Sequence, residues 1–414
     1  CMGNEIIQTP NMDRLADEGT LFTNNFVTTS ICAPSRASIL TGQYQRRHGI
    51  DDFSKEFSPD AWQQTYPMLL RDSGYHTGFV GKFGIQNNSP LPEDDFDFFW
   101  GFSGQGQYFH QVNGERRHLT SMMGDHIEEF LGGAPAEKPF CLSVSFKAPH
   151  VLDNDPDPFQ YDPELEDLYA DETIPQPATA GEEYFEMLPE FIQNSENRTR
   201  WKIRFATEEM YQRSVKGYYR LITGVDRVIG RIFDQLEATG QSENTVIILT
   251  GDNGFFLNEH DLAGKWLMYE ESIRTPLVIR DPRLPGNLQG TERAEMTLNI
   301  DVAPTILGLA DVDIPQEMQG SDLSPLCQGD SPDWRQSWFY EHHFRYSGRI
   351  PPSEGIRTDE WKYVRYIDQD PVYEQLFNLK EDPHEIDNLA SAPEHQQVLE
   401  RLRKEWQAQR ESLV

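Results

Sequence analysis

Apolar residues recur every three or four positions between residues 208 and 236, which predicts a long amphipathic helix. Short runs of consecutive apolar residues at 140–146 and 245–250 predict buried strands. Further helix-like segments are each followed by a strand-like run, and these pairs are 9–19 with 21–28 and 67–73 with 76–80. Alternation of helices with apolar strands is typical of a mostly parallel sheet that helices cover on both faces.

Two regions depart from this alternation. Residues 155–197 are rich in Pro, Asp and Glu with little periodicity, which predicts a long surface excursion of the kind that often faces a substrate. After residue 330 short strand-like runs are separated by turns, and 393–412 resembles a closing helix. We therefore predict an α/β domain over 1–330, with a large, mostly parallel or mixed sheet between helices. We expect a smaller α+β subdomain of antiparallel strands over 331–414.

Charge and composition exclude several classes of protein. The chain has 36 Lys and Arg against 68 Asp and Glu, a net charge of −32, so it would repel phosphate backbones and anionic lipid surfaces. No apolar run approaches the roughly 18 residues of a membrane span. The four cysteines are too far apart in sequence for a Cys-x-x-Cys metal or redox motif. We expect a soluble protein that binds neither nucleic acid nor membranes.

Polar side chains follow several of the predicted strands. Lys147 and His150 come after one strand, Asp252 and Asn253 after another, and Lys82 after a third. Ligands of parallel α/β sheets bind at the carboxyl ends of the strands. We expect these segments to meet at one rim that suits an anion together with a hard cation.

The strongest local motif is Cys32-Ala33-Pro34-Ser35-Arg36, followed by Thr41-Gly42. It resembles the signature of the type I sulfatases, a family of the alkaline phosphatase superfamily in which this cysteine is converted to formylglycine. Later landmarks occur in the order typical of that family. They are Gly81-Lys82, Pro149-His150, Gly251-Asp252-Asn253-Gly254, Gly264-Lys265 and, in the last part of the chain, Arg357-Thr358 with Trp361-Lys362-Tyr363. The resemblance covers nearly the whole chain and implies an alkaline phosphatase-like fold and a sulfuric ester hydrolase.

The chemistry that the resemblance implies suits a sulfate ester. A hydrated aldehyde at Cys32 offers two hydroxyls: one attacks sulfur, and the other later collapses to the aldehyde and expels sulfate. Asp252 and Asn253 offer oxygen ligands to a divalent cation, for which we expect Ca²⁺ rather than Mg²⁺. In this interpretation Arg36 holds the diol, Lys82 and Lys265 bind the transferring group, and His150 protonates the leaving alcohol. A formylglycine-generating or maturase enzyme would be the partner during biosynthesis.

The chain departs from the family pattern in two places. The family has two further metal-binding aspartates at the end of its first strand, upstream of the position that matches Thr9, and we expect that strand to be missing from this sequence. Where many members have Gly-Lys-Trp-His, this chain has Gly81-Lys82-Phe83-Gly84, so the histidine that handles the diol proton there is absent. Gln86 and His48 are candidates to replace it.

Other interpretations remain open at this stage. His48, His260 and Arg274 are substrate-side candidates, although the histidines could be solvated and the arginine could form a structural ion pair. The aromatic stretch containing His342, His343, Arg345 and Tyr346 fits either sheet packing or the rim of a sugar subsite.

We expect a sulfated carbohydrate as substrate and a periplasmic or secreted location. The alternatives are a phosphodiesterase or phosphonate monoester hydrolase with the same nucleophile, and a catalytically silent sugar-binding homologue.

Overall fold

A computed structural model describes residues 1–85, 89–153 and 155–413. The helices, numbered in chain order, are α1 Pro10–Asp17, α2 Cys32–Thr41, α3 Gln45–His48, α4 Pro59–Gln63, α5 Tyr66–Asp72, α6 Leu119–Gly133, α7 Glu182–Glu186, α8 Glu190–Gln193, α9 Glu196–Arg204, α10 Glu208–Ala238, α11 Glu270–Ile273, α12 Val302–Leu309, α13 Ser324–Cys327 and α14 Gln396–Ser412. Within the described ranges no helix is long and apolar enough to cross a bilayer.

The strands form several sheets of mixed type. They are β1 Thr20–Phe22, β2 Asn25–Phe26, β3 His76–Lys82, β4 Phe98–Phe102, β5 Phe109–Val112, β6 Glu115–His118, β7 Phe140–Ser145, β8 Ile247–Thr250, β9 Phe256–Leu257, β10 Ala263–Gly264, β11 Leu277–Arg280, β12 Thr291–Arg293, β13 Thr297–Leu298, β14 Ser337–His342, β15 Ser353–Thr358, β16 Trp361–Tyr366 and β17 Tyr373–Asn378. The two central sheets have the orders β4-β3-β7, all parallel, and β12-β1-β11-β8, which is mixed. The predicted α/β class with mixed sheets is confirmed.

Strands β7 and β8 lie at the ends of these two central sheets. Their sequences, Phe-Cys-Leu-Ser-Val-Ser and Ile-Ile-Leu-Thr, are those of interior strands, yet every residue of both is only half-buried. Each strand is followed by one of the predicted polar clusters, at Lys147 to His150 and at Asp252 to Asn253. The candidate site therefore lies where the two sheets end.

Helix α10 matches the amphipathic helix predicted over 208–236 and extends two residues further. Thr207 caps it by accepting a hydrogen bond from the Met210 backbone N–H at 3.2 Å. One face of the helix is buried, and Val225, Ile229 and Phe233 share a core with Leu15 and Val278. The helix covers one face of the central sheets, as its apolar stripe requires.

The C-terminal sheet β14-β15-β16-β17 is wholly antiparallel, and α14 packs on it, as the sequence predicts. Its residues Trp338, Phe339 and Tyr340 share one hydrophobic core with Phe26 and Leu298. Because this core spans residue 330, the proposed division of the chain at that position stays a prediction.

Two local expectations differ from the structure. The region 155–197 is not wholly irregular, since α7, α8 and the first residues of α9 lie within it, and α8 begins directly after Pro189, where proline suits a helix start. The strand expected over 21–28 is split into β1 and β2, which pair in different sheets, because the Thr23-Asn24 turn separates them. Short apolar runs do not show where a strand changes its partner.

Candidate active site

Helix α2 presents the predicted nucleophile at its first residue. Ile31 precedes it in extended conformation, and Cys32 is 2% exposed. Pro34 is tolerated in the first turn, where no backbone N–H is needed, and Gly42 ends the helix with a φ of 64°. The thiol of Cys32 occupies the position that the hydroxyls of a hydrated formylglycine would take. Its place at a helix N-terminus favours negative charge there.

Arg36 lies one turn after Cys32 and joins the ends of three strands. Its Nε donates to Asp252 Oδ2 at 2.8 Å, and its Nη1 donates to the Lys82 carbonyl at 2.8 Å. The same Nη1 also donates to Ser145 Oγ. The planar guanidinium thereby connects α2 with the ends of β3 and β7 and with the turn after β8.

Lysine side chains surround the thiol of Cys32. Lys265 Nζ lies 2.9 Å from Cys32 Sγ, and Lys82, 1% exposed, contacts Gln105 Oε1 at 2.8 Å. Burial raises the pKa of the Cys32 thiol, but Lys265, Lys82 and Arg36 outweigh that effect, and the net shift of the pKa is downward. The site is therefore built to stabilise negative charge at position 32.

His150 lies beyond the end of β7 in the same cationic environment. Its Nδ1–H donates to the Val151 carbonyl at 2.7 Å, which leaves Nε2 as the nitrogen available to a ligand. Burial, together with Lys265, Lys82 and Lys147, holds the pKa of His150 well below its ordinary value. Burial also lowers the pKa of Lys147 to about 8. The imidazole of the ligand-free protein is therefore neutral near pH 7.

Asp252 and Asn253 have the chemistry of cation ligands. The Asn253 Nδ2 donates to the Gly254 carbonyl at 2.8 Å, whereas its Oδ1 is buried and has no hydrogen-bond partner among the described residues. An unpaired buried oxygen is costly, and a hard cation would satisfy it. Arg36, Lys265 and Lys82 outweigh the effect of burial and lower the pKa of Asp252, so its carboxylate is ionised. These two residues fit a divalent cation.

Gly84 leaves no room for a side chain at the position of the family's histidine. A Cβ there would lie 2.9 Å from Arg36 Cδ and 3.4 Å from Lys82 Cε, and the φ of 77° is in the left-handed region. Gln86, a candidate to replace that histidine, lies outside the described residues. His48, the other candidate, bonds Ser38 Oγ at 3.1 Å and accepts from the Ile50 backbone N–H at 3.1 Å.

Burial lowers the pKa of His48 to about 3. These contacts make His48 a neutral brace on the helix that carries Cys32, and they do not direct its ring nitrogens to the thiol. Its suggested contact with substrate stays a prediction.

His260 and Arg274 also have partners within the protein. The His260 ring meets the Tyr269 ring edge-on at 5.2 Å, is 2% exposed, and burial lowers its pKa to about 4. Arg274 donates to the Thr23 carbonyl on the surface. These contacts do not involve Arg36, Lys82 or Lys265. The substrate-side roles of His260 and Arg274 stay predictions.

The aromatic C-terminal stretch divides between the two interpretations given above. His342 is fully buried, whereas Tyr346 is 41% exposed beside Arg349. His343 lies with Glu341 and Glu354 in a group whose spacing would suit a metal ion. Arg46 donates to both carboxylates, at 2.9 Å and 3.0 Å, so these charges are already paired.

Three residues that the sequence reasoning missed contribute to the rim. Ser145 ends β7 and contacts Arg36, and Gln105 contacts Lys82. Asn197, in α9, donates to the backbone on both sides of Gly264, at Ala263 and Lys265. Gly104 and Gly106 flank Gln105 in the sequence and were a signal of a specialised loop. In the structure both glycines have a positive φ. Nothing in the sequence around Asn197 indicates a contact with Lys265.

Family models agree with this geometry. The Sulfatase model matches residues 1–312, and the model described as N-sulphoglucosamine sulphohydrolase, C-terminal, matches residues 258–412. This chain belongs to the sulfatase family. It is a sulfuric ester hydrolase of the alkaline phosphatase superfamily. Sulfatases in general have a metal ion and a formylglycine nucleophile.

Individual relatives span nearly the whole chain. An N-acetylglucosamine-6-O-sulfatase of Bacteroides thetaiotaomicron is 30% identical over 99% of this chain and 83% of its own length. A choline-sulfatase of Rhizobium meliloti is 29% identical over 94% of this chain and 79% of its own.

Solved structures share the fold. A protein solved with its substrate D-glucosamine-2-N,6-O-disulfate has a TM-score of 0.83 at 27% identity, covering 99% of this chain and 94% of that one. A phosphonate monoester hydrolase of Silicibacter pomeroyi has a TM-score of 0.82 at 23% identity, covering 99% of this chain and 92% of that one. At that identity, the likeness to the hydrolase extends to the fold alone.

The crowding at Gly84 predicts that Gly84→Ala impairs turnover. The new methyl must displace the Arg36 side chain, so we expect kcat for nitrocatechol sulfate to fall at least about tenfold. Gly114→Ala is the matched control, because Gly114 has a φ of 87° but no atom within 4 Å of a Cβ. Both variants should lose roughly 1–2 kcal/mol of stability to backbone strain, measured by urea unfolding. Equal activity of the two variants would contradict crowding as the cause.

Proposed function

We propose that this sulfatase removes sulfate from amino sugars, and from glucosamine 6-O-sulfates in particular. The observation that carries the catalytic part is the 2.9 Å contact of Lys265 Nζ with Cys32 Sγ, inside a cluster that also contains Lys82 and Arg36. The relative that acts on N-acetylglucosamine 6-sulfate and the structure solved with a glucosamine disulfate support the sugar.

The residues of the chain divide the work as follows. Formylglycine at position 32 would supply a hydrated aldehyde, with one hydroxyl as the nucleophile toward sulfur and a second hydroxyl that would allow sulfate to be released. Lys265 and Lys82 bind the sulfuryl oxygens and stabilise the charge that develops on them. Arg36 holds Asp252 and the backbone of Lys82 in place. Because the Nδ1 of His150 is bound to the Val151 carbonyl, its Nε2 would serve the leaving oxygen of the sugar.

We propose Ca²⁺ as the cation, with Asp252 and the free Oδ1 of Asn253 among its ligands. Carboxylate and amide oxygens without thiol or imidazole favour a hard cation, and Ca²⁺ tolerates an irregular set of such ligands better than Mg²⁺ does. A bound cation would add positive charge at the nucleophile and offset the repulsion between substrate and an acidic protein.

We further propose that a formylglycine-generating enzyme or a maturase modifies Cys32 and that the protein acts in the periplasm or outside the cell. The modifying enzyme must act on an unfolded or partly folded chain, because Cys32 is 2% exposed in the folded one. A polymeric sulfated substrate would have to be met outside the cytoplasm. The division into a catalytic domain over 1–330 and a subdomain over 331–414 belongs to the same proposal.

The decisive experiment compares substrates with one preparation, in which the mass of the Cys32 peptide shows that the aldehyde is present. We expect glucosamine 6-sulfate to be turned over faster than the N-sulfated sugar. We also expect nitrocatechol sulfate to be cleaved faster than bis-nitrophenyl phosphate. Chelation should abolish activity, and Ca²⁺ should restore it better than Mg²⁺. The control is Cys32→Ala, which should be inactive on every substrate.

Each arm of this experiment has an outcome that contradicts a part of the proposal. Faster cleavage of the phosphodiester would indicate a phosphodiesterase. Sulfate release confined to other sugars would refute the glucosamine assignment. Full recovery with Mg²⁺ alone would refute calcium. No turnover of any sulfate ester by aldehyde-bearing protein would support a silent sugar-binding homologue.

The pKa of His150 predicts a pH dependence that a single substitution should move. As proton donor, His150 must be protonated, so kcat/KM should fall as pH rises through its pKa, which burial and the three lysines depress. Lys147→Gln removes one of those positive charges, raises the pKa of His150 and should move the basic limb of the profile to higher pH. Lys138→Gln, an exposed lysine, is the control. An unmoved or lowered limb in Lys147→Gln would contradict the role of His150.

A further inference from the structure

The turn that carries Lys265 has an unusual backbone. Gly264 has a φ of 95° and Trp266 a φ of 84°, so both neighbours of Lys265 lie in the left-handed region. That conformation costs glycine little but is rare for a bulky aromatic residue, and it persists only where surrounding contacts enforce it. A Cβ on Gly264 would lie 2.9 Å from the Trp266 ring, so the turn is also closely packed.

Asn197 holds this turn from one side. Its Nδ2 donates to the Ala263 carbonyl at 3.1 Å and to the Lys265 carbonyl at 2.9 Å, and the residue is fully buried. Both hydrogens of one amide group are therefore used on the two carbonyls that flank Gly264. From the other side, Tyr340 donates its hydroxyl to the Trp266 carbonyl at 2.8 Å.

The helix that carries Asn197 is itself anchored at several points. Arg200, one turn later, donates to Asp153, and its guanidinium lies over the Trp266 ring at 5.2 Å. Arg204 on the same face also donates to Asp153, at 3.1 Å. Since Asp153 lies three residues after His150, α9 connects the turn of Lys265 with the loop of His150.

We propose that Asn197 is a positioning residue, which fixes the backbone of Lys265 so that its ammonium reaches the nucleophile at position 32. The catalytic consequence rests on the proposed function, because it assumes that Lys265 acts on the transferring sulfuryl group. The geometric part does not, since it concerns only the contact of Lys265 with Cys32. Lys265 is 5% exposed, so its stem is packed against neighbouring groups and a shift of its backbone would move the ammonium as well.

The first test uses protein made without the modifying enzyme, which keeps Cys32 as a thiol. Lys265 favours the thiolate, so Lys265→Ala should reduce the ultraviolet thiolate absorbance of Cys32, taken as the difference from Cys32→Ala at fixed neutral pH. Asn197→Ala and Asn197→Asp should each reduce this absorbance too, although position 197 does not contact Cys32. Asn25→Ala is the matched control.

Asn25 suits this purpose because it is 1% exposed and makes two side-chain hydrogen bonds, to Thr275 and Thr297, away from the turn of Lys265. The Asn25→Ala substitution should lower stability and leave the thiolate signal unchanged. An unchanged signal in both folded Asn197 variants would overturn the proposal, whatever the substrate of the enzyme proves to be. An equal loss of signal in Asn25→Ala would show that any destabilisation suffices, and this outcome would overturn it too.

The second test is a double-mutant cycle on turnover by the modified enzyme. A displacement of about 1 Å at a catalytic group costs about 100-fold, so Asn197→Ala should lower kcat/KM by about that factor. In the Lys265→Ala background the same change should alter kcat/KM by less than about twofold, because the group that it positions is gone. Equal losses in both backgrounds would mean that Asn197 acts on the fold in general. If all proteins lack sulfatase activity, the proposed function fails while the thiolate test still decides the role of Asn197.

Discussion

The rim of the candidate active site depends on the guanidinium of Arg36. One planar group donates to Asp252, to the carbonyl of Lys82 and to Ser145, and it projects from the same helix as Cys32. Strands β7 and β8 belong to different sheets, so Arg36 is a side-chain link between the ends of those sheets at the candidate active site. A guanidinium suits this position because its donors form a rigid, planar fork. Glycine at position 84 leaves space for this guanidinium, since a side chain there would push Arg36 aside.

The charge distribution reconciles an acidic protein with an anionic substrate. The net charge is −32, yet Lys82, Lys265 and Arg36 together lower the pKa of the Cys32 thiol despite burial. Burial, together with the same two lysines and Lys147, holds the pKa of His150 well below its ordinary value. Attraction for sulfate is thus local. Salt largely screens the interaction between exposed charges that lie more than about 10 Å apart. The acidic exterior would repel other anions from the rest of the surface.

Sequence reasoning predicted those parts of the fold and the site that have local signals. The long helix α10, the antiparallel C-terminal sheet and the strand-end polar residues each have a periodic pattern or a compact motif. The split between β1 and β2 was missed because it depends on which partner each strand meets, and α7 to α9 were missed because their short turns lack periodicity.

Long-range contacts explain the remaining differences. Asn197 meets Lys265 across 68 residues of sequence and Arg36 meets Asp252 across 216, and no local pattern encodes such pairings. His48 lies in a polar segment, yet the fold packs its half-buried ring against Ser38 of α2. Propensity and motif spacing identify residue types, whereas tertiary packing decides which of them face the substrate.

Hydrogen exchange combined with turnover in Arg36→Lys tests the central role of Arg36 most directly. Lysine keeps the charge but cannot donate to three groups in one plane, so exchange should quicken at the ends of β3, β7 and β8 and remain unchanged in the C-terminal sheet. Turnover of a sulfate ester should fall by about 100-fold or more. Arg47→Lys, an exposed neighbour on α3, should change neither quantity. Unaltered exchange at those strand ends in Arg36→Lys, or turnover equal to that of the protein that retains Arg36, would contradict the account.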